Sequence, residues 1–166
     1  LKVRTEQITG LPYGATSIET PVNLDADLSL IELNVALKET TGGPTMAWAS
    51  TLVPYAGTKL GEYCTKFGHF DLARNNEIKD TFFERSIMRF PTRWYGLELE
   101  NLKEDNTVWL SEKELERYRD QNAELRNLFN FFTLIPKGHV LARSYLSSDL
   151  PFSFERLGQE TIAHLT

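Results

Sequence analysis

The stretch Ser111–Leu134, SEKELERYRDQNAELRNLFNFFTL, constrains this chain more than any other. Ser111 and Glu114 match the S-x-x-E capping box, in which each side chain satisfies a backbone donor left free at a helix start. Leu115, Tyr118, Asn122, Leu125, Phe129 and Phe132 then recur at alternating steps of three and four residues. That spacing predicts a helix to about Thr133, ended by Pro136 and Gly138. Its first half is charged on every side, whereas Leu125, Leu128, Phe129, Phe131, Phe132 and Leu134 cover nearly every face of the second. A helix apolar all round must be buried all round. Its end therefore has to enter a core, either this chain's own or a neighbouring subunit's. Asn122 falls at the changeover, at an a position where asparagine can set register across a coiled-coil dimer. The seam is shorter than the three to four heptads such a dimer needs. Packing within the domain, with one hydrogen-bond partner for Asn122, is the preferred reading.

Around this helix the pattern reads as mainly α, with about four to six helices, a small β-hairpin and an extended N-terminal arm. Residues 1–26 hold Gly10, Pro12, Gly14 and Pro21 among scattered apolar positions, which suits an arm lying on something else. Residues 27–166 then form a single helix-rich domain. Within 28–39, Ile31, Leu33, Val35 and Leu37 alternate with Glu32, Asn34, Ala36 and Lys38, which leans towards a half-buried strand. A helix started by Asp25 or Asp27 and stopped by Gly42 is the alternative, and it would place apolar residues on two opposite faces. Thr45–Phe67 reads as helical with a break at Pro54, and a further helix runs from Asn75 or Asn76 to Pro91. Residues 97–110 suit a hairpin around the turn at 103–106. A short helix over Val140–Leu146 and a last one over Ser153–Leu165 complete the chain.

A length of 166 residues suits one domain with a core that needs no metal or disulfide staple. Three basic against six acidic residues in 1–50, and a formal net charge of −5 overall, leave no basic stripe for duplex nucleic acid. No apolar run approaches the roughly 20 residues of a transmembrane helix. The single Cys64 excludes an internal disulfide and a four-cysteine zinc site, and favours a reducing compartment. Leu1 in place of an initiator methionine suggests processing, as for an organelle import product or a polyprotein fragment.

Three groups of residues carry possible chemistry. Arg89, Phe90, Arg93, Trp94 and Tyr95 mix the residue types enriched at binding hot spots, and could also stack single-stranded bases. Phe129, Phe131 and Phe132 could meet a partner at the greasy helix end. Cys64, His69 and Asp71 could build a thiol nucleophile with a base and an orienting carboxylate, although they straddle the Gly68 turn. No phosphate-binding glycine loop, metal spacing or cofactor motif is present. The expectation is a non-catalytic interaction subunit of a multiprotein assembly inside the cell, with a mitochondrial or similar organellar complex as the leading location. A small helical enzyme using Cys64 and His69, a single-strand nucleic-acid module through Arg89–Gly96, and a virion protein released from a polyprotein are the alternatives.

Overall fold

The computed structural model describes residues 2–11, 24–70, 85–89 and 110–166. Over these residues the chain is mainly α. Five helices and a two-stranded parallel sheet follow in the order β1 (Arg4–Thr9), α1 (Asp25–Thr41), β2 (Met46–Thr51), α2 (Lys59–Lys66), α3 (Glu112–Leu134), α4 (Gly138–Ser147) and α5 (Phe154–Leu165). They form two compact units interleaved in sequence. The first takes Leu1–Thr9, Leu24–Ser50 and Gln121–Thr166, and the second takes Gly10–Asn23 and Thr51–Asp120.

The first unit begins as a β-α-β run. Parallel strands need a crossover, and α1 is that crossover. The lean towards a strand over 28–39 is corrected here. Leu24, Leu28, Ile31 and Val35 recur at helical spacing and are buried, whereas Leu33 and Leu37, which complete the alternation, face outward. Apolar residues on the solvent side of a helix mimicked a period of two. Gly42, left-handed at φ 75°, closes α1 and donates its N–H to the Lys38 carbonyl (2.9 Å). The helix expected over Thr45–Phe67 is also corrected, because Met46–Thr51 is a strand. Ala47, Ala49 and Thr51 point inward and Met46 and Trp48 outward. Alanine favours helices, but two small inward side chains let neighbouring elements approach the strand closely. Arg4–Thr9, read as part of an arm, is extended and pairs with β2. The Val3 carbonyl accepts from Thr45 N–H (2.9 Å), and Thr9 Oγ1 lies 3.4 Å from the Ser50 carbonyl.

The second half of α3 completes this unit's core. Leu125, Phe129 and Phe132 are fully enclosed, with the Phe132 and Tyr145 ring centroids 6.4 Å apart. Asn130 Oδ1 accepts the Ala47 N–H (2.9 Å), so α3 covers a donor on the edge of β2. α1 packs on α4 and α4 on α5. The turn into α4 is tight. A Cβ on Gly138 would lie 1.8 Å from the Phe132 carbonyl oxygen, and Lys137 before it adopts φ 51°.

Asn122 has no exposed surface and finds its partner within the chain: Nδ2 donates to Asp27 Oδ2 (3.0 Å), in the first turn of α1. Thr9 Oγ1 lies 3.5 Å from Asn122 Oδ1. A short distance away, Thr5 Oγ1 donates to Asn34 Oδ1 (2.6 Å), and Asn34 Nδ2 donates to the Leu30 carbonyl (2.7 Å). The face of β1 turned towards α1 is thus polar, and side-chain hydrogen bonds join it to the helices.

In the second unit Thr58 caps α2 by accepting the Gly61 N–H (3.0 Å). The capping box forms as expected, with Ser111 N–H donating to Glu114 Oε2 (2.9 Å) and Ser111 Oγ donating to the same oxygen (2.5 Å). Residues 85–89, expected at the end of a helix, are not helical. Arg119 fixes them from α3, donating from Nε and Nη2 to the Met88 carbonyl (3.2 and 2.8 Å), and Arg85 pairs with Glu116 and Asp120. Such hydrogen bonds from α3 hold this segment in a non-helical path. The remainder of that expected helix and the hairpin expected over 97–110, apart from Leu110, lie outside the described residues.

Replacing Asn122 by alanine removes a donor from a buried carboxylate, a loss on the order of 2–3 kcal/mol. Urea unfolding of Asn122→Ala should show that loss, and a change under about 0.5 kcal/mol, typical of neutral surface sites, would contradict the buried-pair account.

Candidate functional site

Cys64, the candidate nucleophile, is completely buried in α2, and burial pushes its thiol up to about 11. A reactive cysteine needs the opposite: an exposed sulfur with a lowered pKa. His69 is buried too. Its ring stacks on Tyr63 (centroids 5.8 Å apart), and Nδ1 lies 3.1 Å from the Arg89 carbonyl, so this nitrogen carries the proton. The Arg89 N–H returns a bond to the His69 carbonyl (2.8 Å). His69 therefore clamps the 85–89 segment to the end of α2, the task of a structural histidine. Asp71 lies outside the described residues. Both groups have an environment that opposes ionisation.

Of the Arg and aromatic cluster, Arg89 is described and its side chain is exposed, while Arg93, Trp94 and Tyr95 lie outside the described residues. Phe129 and Phe132 are enclosed by this chain's own helices, and Phe131 is half-buried, edge-on to Phe132 (5.6 Å). Most of the apolar end of α3 is covered from within the chain, with Phe131 half-buried and Leu134 exposed.

The polar cluster of Thr9, Asp27, Asn34 and Asn122 sits under the small sheet, at most 3% exposed at any member. A carboxylate and two amides near the start of a helix resemble catalytic equipment, but closure to solvent leaves no approach for a substrate. Among the described residues no group of three or more His, Cys, Asp or Glu could hold a metal ion, and no helix is long and apolar enough to cross a membrane.

The unusual chemistry of the first unit is on its outside. On the sheet, Ile8, Met46 and Trp48 face outward, with Arg4 over the Trp48 ring (5.6 Å). Parallel sheets are normally covered on both faces. The stronger case is α5. Ser153 caps this helix, accepting the Arg156 N–H (3.1 Å), and its polar side turns inward. The Arg156 guanidinium lies 4.0 Å above the Tyr145 ring and donates to the Tyr145 carbonyl (3.0 Å), and His164 Nε2 meets the Pro136 carbonyl (2.8 Å). Leu157 is the one buried hydrophobe of α5. Phe154 is 85% exposed, Ile162 67% and Leu165 57%. At about 100° per residue these three lie within roughly 100° of arc. Gly158 lies inside the same arc. A Cβ there would meet nothing within 4 Å, so the chain itself has no steric need for glycine at a position where it costs about 1 kcal/mol relative to alanine. The sequence spacing places α5 but says nothing of which side it buries, so the apolar stripe is not marked as a surface by sequence.

Comparison with known protein families, with curated proteins and with solved structures finds no match.

Two measurements follow from this geometry. Cys64 should react with a thiol reagent at pH 8 at least about tenfold more slowly in the native chain than in urea, because burial both blocks access and raises the thiol pKa; equal rates would restore the nucleophile. Burial lowers the His69 pKa, so the folded state favours neutral imidazole while the unfolded chain titrates near the ordinary 6.5. The unfolded state then binds the extra proton, and stability present above about pH 6.5 is lost as pH falls towards the folded value. Urea midpoints at pH 7.5 and 5.0 should show this loss in the native chain and a smaller one in His69→Gln.

Proposed function

We propose that this chain is a non-catalytic interaction subunit of a larger protein assembly, docking through the outward stripe of α5. The supporting observation is the exposure of Phe154, Ile162 and Leu165 together on one ordered, capped helix. Single exposed hydrophobes are ordinary, but a continuous stripe marks an interaction surface. The polar side of α5 holds the helix in place through Arg156 and His164, which leaves its apolar side free to bind. Such an arrangement suits a helix laid against an apolar groove or another helix. The buried, inert Cys64 fits a reducing compartment, and a mitochondrial or similar organellar complex remains the proposed location.

Tagged chain purified from its native source at high salt should carry protein partners in fixed stoichiometry, since apolar docking survives screening of surface charge. The double substitution Phe154→Ser and Ile162→Ser should release them with a thermal midpoint changed by only a few degrees. Retention of every partner by that variant would remove the stripe from the interface.

A further inference from the structure

Within the reading of α5 as a docking helix, we infer that its partner is α5 of a second copy, crossing antiparallel at Gly158. The stripe is self-complementary about that residue. Phe154 lies four positions before Gly158 and Ile162 four after it, so a two-fold axis through Gly158 sets each phenylalanine against the other copy's isoleucine. Two helix axes approach closely only where the crossing residue is small, and the open space around Gly158 is available for a second backbone.

Charge supports the same orientation. The first turn of α5 carries Glu155, and Asp149 lies five positions before Phe154, while the neighbouring Arg156 is engaged inward by Glu160 and the Tyr145 carbonyl. At its other end the His164–Pro136 hydrogen bond brings Lys137 alongside. An antiparallel pair places the acidic end of each helix against the basic end of the other, and it also opposes the two helix dipoles. A parallel pair would bring like ends together. An anionic membrane surface is a poorer occupant, because α5 carries Glu155 and Glu160 against Arg156 and lacks the basic flank such helices use.

The dyad makes a specific test possible, because residue 158 meets its own counterpart. Gly158→Glu and Gly158→Lys each introduce a good helix former into open space, so circular dichroism should show the helix content of the native chain. In sedimentation equilibrium the native chain should be a dimer, each variant alone should dissociate about tenfold or more readily, and an equimolar mixture of the two should recover the dimer. A dimer that tolerates Gly158→Glu, or a mixture that stays monomeric, overturns the crossing at Gly158. A native chain that is monomeric throughout overturns the second copy as partner. If the Phe154→Ser and Ile162→Ser variant still loses a different protein, the docking function stands while this inference fails. If that variant loses nothing, both fail.

Discussion

The hydrogen bond from Asn122 Nδ2 to Asp27 Oδ2 joins residues 95 positions apart and ties the middle of α3 to the first turn of α1. Burying a carboxylate is tolerable only with donors at hand, so the register of these two helices is held by chemistry that apolar packing cannot supply. Leucine against leucine tolerates sliding, whereas an amide against a carboxylate does not. With this contact made, Thr9 at the end of β1 has a polar neighbour, and Ile31 and Val35 are turned into the core. The apolar end of α3 is then delivered to Tyr145 on α4. The asparagine that looks like an oligomer device in sequence is a register device within one chain.

Two elements of the first unit, β1 and α5, run against the usual distribution of polarity. Thr5, Gln7 and Thr9 face inward from β1 while Ile8 faces out, and α5 keeps Arg156 and Glu160 towards the fold while Phe154 and Ile162 meet water. A monomer selected only for stability has little reason to pay that price in both a strand and a helix. Both inversions make sense if surfaces now wet are covered in the working state, and the α5 stripe is the more exposed of the two.

Local chemistry was legible where it was self-contained. The capping box at Ser111, the stop after α3, and the limits of α4 and α5 depend on side chains within a few residues of the backbone groups they serve. Residues 28–39 and 46–51 mislead in sequence because their periodicity includes positions that tertiary packing leaves exposed, or that a neighbouring helix requires to be small. The same ambiguity concealed the candidate surface. A sequence shows that α5 has an apolar and a polar side, but which one is buried depends on Tyr145 and Pro136, contributed by other elements. Phe129 and Phe132 show the converse, since their apparent need for an outside partner is met by the chain itself.

The interleaving of the two units has a consequence for synthesis. Asp25 at the start of α1 pairs with Arg143 on α4, 118 positions later. During translation α1 and both strands leave the ribosome while the helices that cover them are still unmade, and the larger part of the second unit, Thr51–Asp120, is produced in the interval. At about 5–20 residues per second that wait lasts several seconds at least. Leu28, Ile31 and Val35 remain accessible to chaperones throughout, and the nascent chain cannot close its first core until its last helices arrive.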